Sequence, residues 1–222
     1  MPRETRTQRA RRALRIVRAL AKAYPDATCA LHFDTPFQLL VATILSAQCT
    51  DAKVNEVTRV LFRRFGTPRA LAAADPAEIE AIVRPTGFYR QKTKSILATA
   101  RELVEKHAGT VPKTLEELTE LRGVARKTAN VVLGTAFGIP GIAVDTHMTR
   151  VNQRLRLTES DDPVQIERDL MALIPEAEWT QYTHRVIHHG RVCCTARAPR
   201  CESCPLRPDC PWPASRAARA RS

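Results

Sequence analysis

An all-α fold is predicted, from the spacing of apolar residues, from composition and from marked helix starts. Apolar side chains recur at helical spacing in Leu14, Ile16, Val17 and Leu20, and again in Leu39, Leu40, Thr43 and Ile44. No run alternates apolar and polar for long, and with only 8 glycines and 5% aromatic residues the chain is poor in residues that build strands and hairpins. Helix starts follow in chain order. Thr35-Pro36 places a capping hydroxyl before a proline in the first turn, and Asp75-Pro76 repeats the arrangement. Thr114 precedes Leu115-Glu116-Glu117, a capping-box pattern. Gly66, Gly109 and Gly190 read as helix ends, and Gly134 as a further one. Roughly ten helices joined by short loops result, with no internal repeat of solenoid period.

The 222 residues suffice for one large domain or two small ones, and 44% hydrophobic with 26% charged residues reads as globular rather than disordered. No apolar run approaches the ~18–20 residues of a membrane span. The run from Leu39 to Leu45 is interrupted by Thr43 and followed by Ser46, and the first residues carry no stretch of signal-peptide type. Lysine and arginine total 35 against 23 acidic residues, a net charge of +12. That field favours a polyanion, nucleic acid foremost, although a ribosomal or membrane-surface protein would share the total. Arg3, Arg6, Arg9, Arg11, Arg12, Arg15 and Arg18 form either a solvated helix face or frayed arm, or a phosphate-contacting surface. The Ala/Arg-rich tail after Trp212 is expected to be disordered.

Five of the seven cysteines fall in one stretch: Cys193, Cys194, Cys201, Cys204 and Cys210. An odd total without a secretion signal argues against a disulfide framework, and the close spacing argues for metal. Cys194, Cys201, Cys204 and Cys210 lie in a C-x6-C-x2-C-x5-C pattern, and Cys193 is the odd one out. Structural zinc usually takes two tight C-x2-C pairs, of which only Cys201 and Cys204 form one. The wider gaps favour a cubane iron–sulfur cluster, with zinc the alternative. Between these cysteines, a loop held rigid and carrying Arg197 and Arg200 would make a phosphate clamp, the plainer reading being two solvated arginines.

Residues 118–133 read as helix, tight turn, helix, with the second helix starting near Val124. Gly123 lets the backbone turn sharply and approach a ligand closely. The pattern is that of a helix-hairpin-helix, which grips a DNA backbone through helix N-terminal N–H groups. Lys127 sits early in the second helix, either as a solvated phosphate contact or as an amine nucleophile. A helix N-terminus, a basic neighbourhood and partial burial all favour a neutral amine. Asp145, before Thr146 and His147, is a good N-cap. A carboxylate held there could also stabilise positive charge on a sugar and take a proton from a lysine.

The stretch from Leu121 to Leu133, Val144-Asp145-Thr146-His147 and the four-cysteine pattern together resemble the endonuclease III family, as do Leu45 to Asp51 and Gly87-Phe88-Tyr89. These enzymes are bifunctional DNA glycosylases and abasic-site lyases of the helix-hairpin-helix superfamily. The resemblance runs in order from about residue 10 to residue 212. It implies two helical domains with a cleft between them: a six-helix barrel over 29–139, and a [4Fe-4S] domain from 1–28 with 140–222, the basic tail included. Lys127 would attack the sugar C1′ of a flipped nucleotide, with Asp145 assisting. Gln48 would fill the vacated space and Phe88 would wedge beside the opposite base. Gly123, Ala125, Arg126, His147, Arg197 and Arg200 would contact DNA. Cys194, Cys201, Cys204 and Cys210 would hold the cluster, leaving Cys193 free. The implied substrate is double-stranded DNA with damaged pyrimidines or abasic sites, met by a monomer in the bacterial cytoplasm, at the nucleoid, with no membrane partner.

The hairpin departs from the family's usual Leu-Pro-Gly-Val-Gly, with Arg122 and Ala125 in place of the proline and second glycine. Phe88 stands where leucine is common, and Cys49 where alanine often is. Among rival readings, the adenine-mismatch glycosylase branch usually lacks the lysine and carries a further recognition domain. In a thymine-mismatch relative, too, the lysine argues for lyase chemistry. A non-catalytic DNA-binding or redox-sensing module would not need both Lys127 and Asp145.

Overall fold

The computed structural model describes residues 4–212, so Arg3 and the tail after Trp212 lie outside the described residues. Among these residues there are eleven α-helices, three short 3-10 turns and no strand. In chain order the helices are α1 (Arg6–Ala23), α2 (Pro36–Leu45), α3 (Asp51–Phe65), α4 (Pro68–Ala72), α5 (Pro76–Val83), α6 (Tyr89–Lys106), α7 (Leu115–Glu120), α8 (Arg126–Ala136), α9 (Thr146–Arg154), α10 (Pro163–Met171) and α11 (Trp179–Val192). No helix among the described residues is long and apolar enough to cross a membrane.

Local chemistry sets most of the starts. Thr35 and Asp75 cap α2 and α5, each followed by proline, and Thr67-Pro68 and Asp162-Pro163 repeat the device at α4 and α10. A full capping box closes α1, where Thr5 N–H donates to Gln8 Oε1 at 2.9 Å and Gln8 N–H to Thr5 Oγ1 at 3.2 Å. At α7 the box takes another form. Thr114 Oγ1 accepts the Glu117 N–H at 3.3 Å, and its hydroxyl then donates to Glu117 Oε2 at 2.6 Å. The glycines divide. Gly66 ends α3, and Gly109, with φ +80, follows α6 and donates its N–H to Leu103 O at 2.8 Å. Gly190 and Gly134 are not ends, since they lie inside α11 and α8. Gly190 is closely packed instead: a Cβ there would meet His147 Cβ and Nδ1 at 3.0 Å, so these side chains would have to shift by a few tenths of an ångström to admit it.

The chain divides into two compact units, Cys29–Ile139 and the combination of Met1–Thr28 with Pro140–Ser222. In Cys29–Ile139, α2 is the central element, with every residue from Phe37 to Leu45 buried. Leu61 of α3, Ile79 of α5, Ile96 and Leu103 of α6 and Leu118 of α7 complete a contiguous aliphatic core. In the other unit, Ile16 and Leu20 of α1, Met148 and Val151 of α9, Ile166 and Leu170 of α10 and Val186 of α11 form a second core. Its centre is polar as well as apolar: the fully buried Tyr182 donates its hydroxyl to Asn152 Oδ1. Part of the N-terminal arginine set acts inside this unit. Arg12 donates to Leu155 O at 2.6 Å and to Asp209 O at 3.2 Å, and Arg15 pairs with Asp209 at 2.6 Å. Arg6, Arg11 and Arg18 remain exposed.

Candidate active site and cysteine cavity

The turn between α7 and α8 is built as close packing against α6 requires. Gly123 has φ +87, and a Cβ there would come within 2.7 Å of Ser95 Cβ, so glycine is needed both for the backbone and for space. The turn is also pinned from both sides of its peptide chain: Arg122 N–H donates to Glu102 Oε2 at 2.9 Å, and Thr99 donates its hydroxyl to Arg122 O at 2.7 Å. Arg122 thus supplies an N–H that proline could not. Val124 is 5% exposed and belongs to the core, and α8 starts at Arg126, two residues after the expected start near Val124, because Ala125 is extended as the N-cap. Ala125 is the N-cap, extended at φ −83 and exposed, and makes no side-chain cap hydrogen bond. Lys127 is therefore the second residue of α8 and half-buried, beside the exposed Arg126.

The face of α6 beneath the hairpin continues to a second loop. Lys92, Ser95, Thr99 and Glu102 fall three or four residues apart, on one side of the helix. Lys92 is 5% exposed and donates from Nζ to Thr86 O at 2.7 Å, just before Gly87 and Phe88. Burial lowers its pKa, and the Cys49 sulfur partly offsets the shift. Phe88 is left-handed at φ 49 and 73% exposed, an unusual place for a large apolar ring. Gln48 is likewise left-handed, φ 54, and exposed after α2. Non-glycine residues rarely adopt this conformation, and strain of this kind gathers at functional sites. Cys29–Ile139 therefore carries Gln48, Phe88, Gly123, Ala125, Arg126 and Lys127 on loops and helix starts fixed by its core.

In the other unit Asp145 caps α9, its Oδ1 accepting the Met148 N–H at 2.8 Å. One turn on, Arg150 Nη2 donates to His147 Nδ1 at 3.1 Å and to Gly190 O at 2.9 Å. Arginine has no acceptor, so this contact uses Nδ1 of His147 as acceptor, while a backbone hydrogen bond to Gly190 favours the protonated ring. Burial lowers the His147 pKa, with Asp145 opposing and Arg150 reinforcing the shift.

Cys194, Cys201, Cys204 and Cys210 line one cavity with Cys193, His189, Arg154 and Trp212. Within it, the ligand atoms of His189, Cys193 and Cys204 lie within 4.8 Å of one another, a group able to hold a metal ion. Cys193 thus shares the cavity wall, with its thiol towards Arg200 O at 3.8 Å. Burial and then the neighbouring Cys204 push Cys193 up to about 12, and burial pushes Cys210 up to about 11. Four cysteine sulfurs on one cavity wall, with His189 and Cys193 beside them, are a donor set that fits a metal centre. The loop after Cys194 is gripped by α9: Arg154 donates to Cys194 Sγ at 3.2 Å, Thr195 O at 2.8 Å and Ala196 O at 2.9 Å, and Arg150 to Cys194 O at 3.2 Å. Arg197 and Arg200 themselves are exposed.

His189, Arg150 and Arg154 are the residues that sequence reading did not single out. The only local signal is weak: His189 lies on the helix leading into the cysteines, and the two arginines lie four apart behind the Asp145 cap.

Known proteins share this arrangement. Endonuclease III of Synechocystis sp. is 54% identical over 201 residues, covering 90% of this chain and 92% of that protein. The solved structure of a non-covalent endonuclease III–DNA complex matches with a TM-score of 0.89 at 44% identity, over 94% of this chain and 98% of that one. A trapped endonuclease III–DNA covalent intermediate, containing an estranged adenine, matches with the same TM-score of 0.89, identity of 44% and coverage of 94% and 98%. Residues 41–176 match the pattern of the HhH-GPD superfamily base excision DNA repair proteins, and the chain belongs to that family.

Proposed function

We propose that the chain is a bifunctional DNA N-glycosylase and abasic-site lyase that removes oxidised pyrimidines from duplex DNA. The observation that carries this reading is the placement of Lys127, half-buried as the second residue of α8, behind the Gly123 turn and an N-cap that makes no side-chain hydrogen bond. Helix N–H groups at such a start favour a DNA phosphate, which would hold the strand beside the amine. The target base leaves the stack, because C1′ is not accessible within it. The Lys127 amine attacks C1′, the bond to the base breaks, and the base leaves with a proton. The C1′–O4′ bond of this adduct then opens, O4′ takes up a proton as the 4′ hydroxyl, and C1′ is left double-bonded to the lysine nitrogen as a protonated Schiff base. Loss of a C2′ proton then breaks the 3′ C–O bond, and the 3′ phosphate departs. Asp145, fixed in direction by Met148 N–H, accepts the lysine proton and stabilises the cationic sugar. Gln48 and Phe88 occupy the space left in the duplex and wedge beside the opposite base, and Arg126, His147, Arg197 and Arg200 bind its backbone. The helical barrel is assigned to 29–139, where seven α-helices, α2 to α8, stand against the six expected, and the cluster domain to 1–28 with 140–222.

Cys194, Cys201, Cys204 and Cys210 hold a [4Fe-4S] cluster, which fixes the loop carrying Arg197 and Arg200 and supplies a one-electron redox centre. The protein works as a monomer in the cytoplasm at the nucleoid, a placement supported by its bacterial relatives. Incubation with abasic-site DNA and borohydride tests the chemistry: a covalent adduct is expected, lost in Lys127→Gln with DNA binding retained. Asp145→Asn keeps the cap and slows base release far more than it weakens binding. Absence of any adduct with the unaltered chain would reduce it to a DNA-binding module. A panel of single-lesion oligonucleotides tests the preference for oxidised pyrimidines.

A further inference from the structure

His189 is 1% exposed and lies on α11 between two polar partners. Its Nδ1 is 2.9 Å from the hydroxyl of Tyr24, the residue that ends α1, and its Nε2 is 3.7 Å from Cys204 Sγ. The Tyr24 ring also packs beside it, with centroids 5.7 Å apart, and edge-on to His188 at 4.9 Å. We propose that Tyr24 and His189 form a hydrogen-bond relay to the Cys204 ligand that raises the reduction potential of the cluster. The inference rests on the [4Fe-4S] reading above.

The direction of the relay follows from donor and acceptor chemistry. A thiolate ligand offers only lone pairs, so His189 Nε2 carries the proton and donates to Cys204. Nδ1 is then an acceptor, and the Tyr24 hydroxyl donates to it. Tyr24 thereby fixes the tautomer and ring orientation of His189, as outer partners of metal sites do. A hydrogen bond to a cluster sulfur draws electron density from the metal and favours the reduced state. The sulfurs are not equivalent in this respect. Cys194 receives a donor from the cation Arg154 at 3.2 Å, whereas the donors to Cys204 are neutral: the buried His189 ring, beside the Leu206 backbone and the Cys193 thiol. The effect of His189 is accordingly little screened by solvent.

The test uses the full chain purified without air. Analysis of the unaltered protein for iron and sulfide comes first, and about four of each per chain are expected. Zinc alone would overturn the cluster reading itself, and the relay with it. With the cluster present, film voltammetry of His189→Leu should show a lower potential. A tenfold change in the oxidised-to-reduced equilibrium is about 59 mV for a one-electron couple. Tyr24→Phe keeps the ring contacts and removes only the hydroxyl, so a smaller fall is expected. A packing role for His189 would leave the potential of Tyr24→Phe unchanged, and that result overturns the relay. If His189→Leu does not retain its cluster, Tyr24→Phe alone decides.

Discussion

In Cys29–Ile139 the interior is closed by aliphatic area, with α2 sheathed on all sides and its neighbours contributing leucine, isoleucine and valine. In the unit made from the two ends of the chain, the interior is closed by pins as well. Tyr182 is tied to Asn152, Tyr24 to His189, Arg12 to the carbonyls of Leu155 and Asp209, and the sulfur-lined cavity sits among them. The difference has a physical cause. Apolar burial is non-directional and closes the centre of the unit formed from one continuous stretch, whose directional bonds, such as Lys92 to Thr86 O and Thr99 to Arg122 O, fix its loops. A unit assembled from distant segments gains its register from bonds with direction, and those bonds fail sharply when one partner is removed.

The largest test of this contrast is removal of the proposed metal centre. Cys204→Ser, or extraction of iron, should strip amide-exchange protection from α11 and the segment after it, and leave α2, α6 and α8 protected. Loss of protection throughout would show that the aliphatic unit does not stand by itself. Single core substitutions rank next. Leu40→Ala, at a fully buried position, should cost about 2–5 kcal/mol in denaturant unfolding. Tyr182→Phe keeps the ring but leaves buried Asn152 without its donor, at about 1–3 kcal/mol. A Tyr182→Phe cost below that of an ordinary surface change would remove the distinction between pins and area.

The two tight glycines extend the comparison. At Gly123 an alanine meets φ +87 and the Ser95 Cβ at 2.7 Å, neither of which can yield cheaply. Left-handed backbone alone costs about 1–2 kcal/mol, so Gly123→Ala should lower both stability and DNA affinity. Ser95→Gly should restore only the part due to contact. Gly190→Ala meets side-chain atoms of His147 and Arg150 at 3.0–3.2 Å, and alanine gains up to about 1 kcal/mol of helix propensity. It should be near neutral in stability, with the His147–Arg150 bond disturbed. Equal losses at both glycines would contradict this division.

What could be read in advance follows the same physics. The Thr-Pro and Asp-Pro starts, the Asp145 cap and the cysteine spacing are local patterns, and they are legible because cause and effect lie within a few residues. Gly190 misleads because its constraint is His147, distant along the chain. The start of α8 slips because Ala125, which the sequence gives no capping side chain, takes the extended N-cap position. His189, Arg150 and Arg154 act on partners that only folding brings near, and the left-handed backbone at Gln48 and Phe88 contradicts their propensities.

The smallest expected effect is at Ala125, the uncapped start of α8. Glycine is a better N-cap than alanine, while added freedom in the unfolded chain costs about 0.4–1 kcal/mol, so Ala125→Gly should leave stability almost unchanged. Its methyl group is exposed beside N–H groups that the proposed function directs at phosphate. Removing it should tighten abasic-site DNA binding by less than tenfold, under about 1.4 kcal/mol, with the rate of borohydride trapping unchanged. Ala125→Ser shifts both quantities the other way. Its hydroxyl can cap α8, which should raise stability by about 1 kcal/mol and occupy an N–H that phosphate would otherwise use, weakening binding. Opposite signs of stability and affinity in the serine variant would mark these N–H groups as the phosphate site. Parallel gains would place the phosphate elsewhere on the hairpin.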